Sequence, residues 1–418
     1  MERSPMERAL SVKSGRALLG CCLAVFWSGA VAFGYPGVMA TYWQKTYGVG
    51  AGGTGAVITF MLLALAVSMF FSGKFHQKHG TRRCILVATV CNTLGMAALF
   101  LADSMAMVYV WAFVMNIGCS FVYGPVLATA QQWLPHRRGL ASGLVNLVFG
   151  ISGAVMVPVW NGMLESSGYD RLNLSLLVCI VVTNMAAMLL AEVPERTKLS
   201  PQEREAWLQR LAGGAAGSGK GTAPAGQDCT VGQALHSRAF WTLWLTWAFM
   251  GAAGISMISL AGKYALSLGL AGSAILTAFN LTNGFGRIAA GLLTDRIGGE
   301  TTAVLAFGLT AAAYFLLPHV SGLFPVSLLA ALVGFGLGTL FTVTGPIASR
   351  RFGLSNFGAI FGIIFTAYGF VGGLVGPALA GFVLDRTGGN YGLVFAYLGV
   401  FAAVGTGLML FLKRQGAR

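Results

Sequence analysis

Twelve runs of apolar residues succeed one another along the chain, each closed off by a polar segment. They lie at 17–39, 54–72, 84–101, 107–130, 139–161 and 172–192, then, after a gap, at 239–261, 271–293, 301–318, 325–347, 357–380 and 391–412. About 20 apolar residues cross the hydrocarbon core of a bilayer as a helix. The pattern therefore predicts an all-α membrane protein with twelve transmembrane helices in two groups of six. The first run is too long for the core of a signal peptide and lacks a clear cleavage site, so it reads as a span.

The polar positions divide the chain further. A polar N-terminal segment (1–16) precedes one six-helix bundle (17–192), a linker (193–238), a second bundle (239–412) and a tail (413–418). In the linker, Ser200-Pro201-Gln202-Glu203 supplies an N-cap, Pro at the first helical position and Glu at the third. Ala206, Trp207, Leu208 and Leu211 give the helix that follows an apolar face, which would lie on the membrane surface or against the bundle. Residues 212–227 are rich in Gly, Ala and Ser and read as flexible.

Composition excludes the main alternatives. Hydrophobic residues make up 56% of the 418 and charged residues 10%, against roughly 25% charged in soluble domains. The 59 Gly follow no triplet period, so collagen is excluded. The net charge of +14 suggests a nucleic-acid partner until its placement is read. Of 27 Lys and Arg, 22 fall on the side that holds the termini and linker and four on the other, and one, Arg287, lies inside a span. The positive-inside rule puts the termini in the cytoplasm. The expectation is a multi-pass protein of the plasma membrane (the inner membrane of a bacterial cell), a monomer with the lipid bilayer and no nucleic acid as partner. The seven Cys show no CxxC or Cys/His metal spacing and read as packing residues. The five His fall in loops or at span ends. No metal or cofactor is expected. No nucleophile–base pair and no phosphate-binding loop appears, so the chain does not read as an enzyme.

An internal repeat supports the two groups. Gly73-Lys-Phe-His-Gln77-Lys78-His-Gly80-Thr-Arg82-Arg83 follows the second run, and Gly291-Leu-Leu-Thr-Asp295-Arg296-Ile-Gly298 follows the eighth, 218 residues later. Gly381-Phe-Val-Leu-Asp385-Arg386-Thr-Gly388 echoes them after the eleventh. These segments resemble the signature of the major facilitator superfamily, Gly-x-x-x-Asp-Arg/Lys-x-Gly-Arg-Arg/Lys. The resemblance implies two pseudo-symmetric six-helix bundles, with Gly73, Gly80, Arg82, Gly291, Asp295, Arg296 and Gly298 in a gating motif. The first copy carries Gln77 where the signature has Asp.

A narrower resemblance begins at Gln233-Ala-Leu-His-Ser-Arg-Ala-Phe240-Trp241 and continues through Ala253-Gly254-Ile255 and Asn280-Leu-Thr-Asn283-Gly-Phe-Gly286-Arg287 to Phe357-Gly358-Ala-Ile-Phe-Gly362 and Thr366-Ala-Tyr368-Gly369. These stretches are similar to the oxalate/formate antiporter family and the related monocarboxylate transporters. The animal monocarboxylate transporters have Asp four positions before the Arg, and Lys after Pro near the end of the first span. Here those positions hold Asn283 and, after Tyr35-Pro36, Gly37. The oxalate transporters have Lys where this chain has Tyr368.

Arg287 carries the sharpest signal. A charge at a helix centre costs about 2.5–3.5 kcal/mol on insertion scales, and none of the 13 Asp and Glu falls in the middle of a span to offset it. The missing anion is then the substrate, held by the planar fork of the guanidinium. Asn280, Asn283 and Arg287 stand at i, i+3 and i+7 on one helical face. Tyr368 is a hydrogen-bond donor for a substrate oxygen. Tyr35 and Tyr123 look similar to cavity-wall aromatics of the family, and the half-repeat offset pairs Tyr123 with Phe341. Asn116 and Asn146 are further polar positions inside spans. With one buried cation instead of two, charge balance favours a monoanion. The expectation is a secondary transporter of small monocarboxylates such as lactate or pyruvate, working by alternating access. The resemblance favours a co-transported proton, with anion exchange as the other coupling mode. An oxalate:formate-type antiporter is the alternative, and a non-transporting anion sensor a more distant one.

Overall fold

The computed structural model describes residues 5–216, 228–270 and 272–415, and these are almost wholly helical. The first span is α1 (Pro5–Phe33) continued by α2 (Tyr35–Tyr47) after a break at Gly34. The second and third spans run together as α3 (Ala51–Phe100), α4 (Met105–Trp133) is the fourth, and the fifth and sixth run together as α5 (Arg138–Leu190). The linker carries α6 (Pro201–Ala216) and α7 (Val231–Leu235). The second half is α8 (Arg238–Ser267), α9 (Gly272–Ile297), α10 (Gly299–Leu316), α11 (Leu323–Phe352), a split eleventh span of α12 (Phe357–Ala367) and α13 (Gly373–Arg386), and α14 (Tyr391–Gln415).

Nine segments among the described residues are long and apolar enough to cross a membrane, and two of them, in α3 and α5, each hold two spans. The remaining span, α9, is not among the nine, because Asn280, Thr282, Asn283 and Arg287 interrupt its apolar run. The fused helices turn at glycines. Gly80 inside α3 has φ 79°, and Gly298, its repeat mate between α9 and α10, has φ 86°. A side chain there would meet the left-handed penalty that only Gly escapes. This is the physical reason both repeated motifs carry Gly seven positions after their first Gly.

The linker helix packs against the bundle. Its predicted capping box is present: Ser200 N–H donates to Glu203 Oε2 at 2.7 Å, and Glu203 N–H to Ser200 Oγ at 3.2 Å. Trp207 is buried in a small cluster with Leu10, Ala17 and Trp133, and its Nε1 donates to the Gln132 carbonyl at 3.2 Å. Lys13 Nζ reaches Glu203 at 2.6 Å. The polar start of the chain is therefore helical, since Leu10 and Ala17 have that cluster to bury into. Leu208, expected on the apolar face, is exposed instead, and the Leu211 side chain is outside the described set. Residues 212–216, read as flexible, continue α6; of that stretch, 217–227 lie outside the described residues.

Candidate functional site

Two seams join the halves, and the first brings α9 against the fifth-span part of α5. A Cβ on Gly139 would lie 2.4 Å from the Gly291 carbonyl oxygen, and one on Gly143 would lie 2.6 Å from that of Arg287. The backbones can approach this closely only because those positions are Gly. At the end nearer the termini, Asp295 crosses the seam. Its carboxylate accepts from the Gly139 N–H at 2.8 Å and the Leu140 N–H at 2.9 Å, capping amides at the start of α5 that have no partner within the helix.

About two turns along α9 from that cap towards the middle of the bundle, the same seam contains Arg287. The side chain is 1% exposed. Nε donates to the Asn283 carbonyl at 2.9 Å, Nη2 to Asn283 Oδ1 at 3.2 Å, and Nη1 crosses to the Asn146 carbonyl of α5 at 2.7 Å. Its Cζ lies 4.7 Å from the centre of the Phe341 ring, a cation–π arrangement. Gly150 leaves it room, since a Cβ there would sit 2.9 Å from Cζ. Among the described residues no carboxylate pairs with it. The guanidinium is held by neutral oxygens only, which cover its donors without cancelling its charge.

Around it stands an aromatic wall. Phe341 touches Trp247 (ring centres 4.9 Å), Tyr368 (5.3 Å) and Phe365 (5.8 Å). From the other half, Tyr123 packs on Phe149 at 4.7 Å and on Phe365 at 5.7 Å. The repeat mates Tyr123 and Phe341 thus meet the same ring. Asn146 ties the pieces together. Its Oδ1 accepts from the Tyr123 hydroxyl at 2.7 Å, and its Nδ2 donates to the Phe341 carbonyl at 3.2 Å. Trp247 Nε1 donates to Thr344 Oγ1 at 2.9 Å, which fixes the indole. The Tyr368 hydroxyl, in a residue 4% exposed, has no such bond among the described residues.

The structure therefore brings together Arg287, Asn283, Tyr123, Phe341 and Tyr368, and not two others. Tyr35 belongs to a separate buried cluster, where its ring meets Trp43, Trp111 and Trp160 and its hydroxyl bonds to Asn173. Asn280, two turns from Arg287, is exposed. Asn116 bonds to the Ala112 carbonyl of its own helix. Asn146 gave a signal as a polar residue inside a span. Trp247, Phe149 and Phe365 gave none, because aromatic residues are common throughout such spans. Of the motif residues, Arg82 lies 3.9 Å from Glu192 within its own half, and Arg296 is exposed.

The second seam sets the second-span part of α3 against α12. A Cβ on Gly73 would lie 2.2 Å from the Gly358 carbonyl carbon, and one on Gly362 would lie 2.8 Å from that of Met69. Here Gln77 Nε2 donates to Asn356 Oδ1 at 3.2 Å, a neutral bond where the first seam has a carboxylate.

The comparisons agree with this architecture. The family model described as Major Facilitator Superfamily matches residues 21–273 and 255–418. The chain is 26% identical over 352 residues to the oxalate:formate antiporter of Oxalobacter formigenes, covering 81% of this chain and 78% of that protein. It is 23% identical over 409 residues to monocarboxylate transporter 13 of Bos taurus, covering 93% and 88%. Among solved structures, the proton:xylose symporter XylE bound to 6-bromo-6-deoxy-D-glucose superposes with a TM-score of 0.72 at 14% identity, covering 96% of this chain and 95% of that one.

Proposed function

The chain belongs to the major facilitator superfamily, and we propose that it carries small organic monocarboxylates across the membrane, with Arg287 as the anion site. It is a multi-pass membrane transporter and not an enzyme. What supports the finer reading is a fully buried guanidinium whose hydrogen bonds all go to neutral oxygens. A substrate carboxylate in place of the Asn146 carbonyl would add the Coulombic attraction of an opposite charge, which a neutral carbonyl cannot supply. Arg287 would bind the carboxylate, Asn283 would orient the guanidinium, and Tyr123, Phe341 and Tyr368 would close around the carbon skeleton. The unpartnered Tyr368 hydroxyl would donate to a keto or hydroxyl oxygen. A carrier must also release its load, so affinity is modest: a millimolar constant corresponds to about −4 kcal/mol.

The basic residues favour cytoplasmic termini, with six-helix units at 17–192 and 239–412 rocking about the site. The single buried cation disfavours an oxalate:formate-type exchange, in which a dianion would need a second. Coupling is to a proton in our reading. No Asp, Glu or His lies in mid-span to hold that proton, so it would travel on the substrate carboxyl or along tyrosines and water. The experiment is uptake of labelled lactate into proteoliposomes, with and without an inward proton gradient or a trapped internal anion. Gradient-driven uptake supports symport, and uptake that requires the internal anion shows exchange. Binding without uptake would show a sensor, and no binding of lactate, pyruvate or oxalate would end the carboxylate reading.

A further inference from the structure

The eleventh span is interrupted at the site itself. Between α12 and α13, residues Tyr368–Gly372 form a π turn, closed by the Gly373 N–H donating to the Tyr368 carbonyl five residues back. Such turns hold one residue more than an α turn, are rare, and occur mostly where a helix serves a functional site. This one sits in a sequence poor in restraint. Gly369, Gly372, Gly373 and Gly376 lie within eight residues, and Pro377 can neither donate to the carbonyl four residues before it nor avoid crowding it.

The turn touches three bodies. On one side the Tyr368 ring packs on Trp247 at 5.5 Å and Phe341 at 5.3 Å. On another, a Cβ on Gly369 would lie 3.0 Å from the Leu62 carbonyl of the opposite half, and one on Gly373 would lie 2.5 Å from the Leu62 side chain. On the third, a Cβ on Gly372 would lie 3.3 Å from the Ala252 nitrogen and one on Gly376 would lie 2.7 Å from the Ala252 carbonyl oxygen. These Gly surfaces interlock no side chain of their own with the opposing helices.

We propose that the π turn is a two-state hinge that positions Tyr368, so that its change to α geometry couples the Arg287 site to movement of α13 against α3. Returning one residue to the α ladder rotates the chain beyond it by about 100° and advances it by about 1.5 Å relative to the chain before it. α12 is held against α3 by the Gly73–Gly358 contact and the Gln77–Asn356 bond, so the moving part is α13. The unpartnered Tyr368 hydroxyl is the point at which a substrate biases the two states, and this rests on the carboxylate reading above. Tyr368 is then a substrate-contacting residue whose position the turn adjusts.

The test is hydrogen exchange of the full chain in lipid nanodiscs, read on peptides covering 364–377. Asp295→Asn, which removes the charged cap of the first seam without any substrate, should change exchange at 369–373 at least fivefold. Deletion of Val371, which leaves the turn only an α register, should abolish that response and lower lactate uptake at least tenfold in a protein that still elutes as folded. Where the deletion misfolds, Gly372→Ala with Gly373→Ala replaces it. Ala is a stronger helix former than Gly, and the same two outcomes are expected. Exchange at 369–373 unchanged within twofold between wild type and Asp295→Asn overturns the hinge, as does wild-type uptake by either folded variant. Lack of lactate uptake by the wild type defeats the substrate reading alone, because the exchange comparison needs no substrate.

Discussion

Along α5 and α9 the halves meet through Gly139, Gly143 and Gly291, with the Asp295 carboxylate on two α5 amides and Arg287 bonded across to Asn146. Along α3 and α12 they meet through Gly73, Gly358 and Gly362, in the pseudo-equivalent place, and the polar link is the neutral Gln77–Asn356 bond. The approach of the backbones is alike, whereas the electrostatics are not. At the second seam a carboxylate is present but comes from the linker. Asp228 accepts from the Leu354 N–H at 3.1 Å and the Ser355 N–H at 3.2 Å, both within its own half. It fastens the approach to α12 without joining the halves. The first seam therefore adds a charged cap to its glycine fit, whereas the second has the fit and a neutral bond alone. The π turn lies on the second.

Breaking the charged seam at its centre should have the largest effect. Arg287→Lys keeps the charge but loses the fork. Losing two charge-assisted bonds of about 1.5 kcal/mol each should cut uptake roughly 100-fold at matched expression and fold. Wild-type uptake by this variant would remove the bidentate argument. Giving the smooth seam a charge comes next. Tyr368→Lys would put an ammonium near Arg287, so an empty or singly occupied site suffers repulsion and a dianion relieves it. At a separation of about 8 Å and an effective dielectric near 20, each such interaction is about 2 kcal/mol. Competition of oxalate against lactate should shift more than tenfold toward oxalate. An unchanged ratio in a variant that still binds lactate would place Tyr368 outside the site.

Asp295→Asn tests the end of the charged seam nearer the termini. It removes a full charge from the start of α5 and replaces one acceptor oxygen with a donor, at a cost of about 1.4 kcal/mol. Exchange of the amides at 139–143 should rise about tenfold. No rise would show that the glycine contacts alone keep this end shut.

The contrast between the seams was partly legible in the sequence. Hydropathy and the 218-residue repeat give the spans, and Gln77 against Asp295 announces the asymmetry. Arg287 stood out because it is a lone charge in an apolar run with no Asp or Glu in mid-span to offset it. Asn146 showed only as a polar residue in a span, since the carbonyl that takes Arg287 belongs to the backbone and every residue has one. Tyr35 stands apart from the Arg287 cluster. Its ring and hydroxyl are satisfied by Trp43, Trp111, Trp160 and Asn173, residues scattered over several spans that only packing brings together. The π turn was hidden for a related reason. Its glycines suit a close-packed α-helix equally well, and the choice of register depends on what Tyr368 and Leu62 present to it.

The smallest effect should come from restoring the carboxylate that the second seam lacks. Gln77→Asp would aim a negative charge at the first amides of α12, where Asn356 now accepts a bond from Gln77. An anion at a helix N-terminus contributes about 0.3–1 kcal/mol near a surface, or roughly a two- to fivefold shift toward closure. Two features hold the gain at the low end. Asp is one methylene shorter than Gln, and Asp228 already faces residues 354 and 355, so a second carboxylate nearby adds like-charge repulsion. Exchange at 358–362 should therefore slow about twofold, with uptake reduced in proportion. Adding Asp228→Asn separates the two terms: it removes the repulsion and should deepen the effect of Gln77→Asp on 358–362, while by itself loosening the loop at 353–356. Faster exchange at 358–362 in Gln77→Asp, with or without Asp228→Asn, would mean that the neutral bond fits this seam better than a charge does, and that the asymmetry between the seams comes from packing and not from electrostatics.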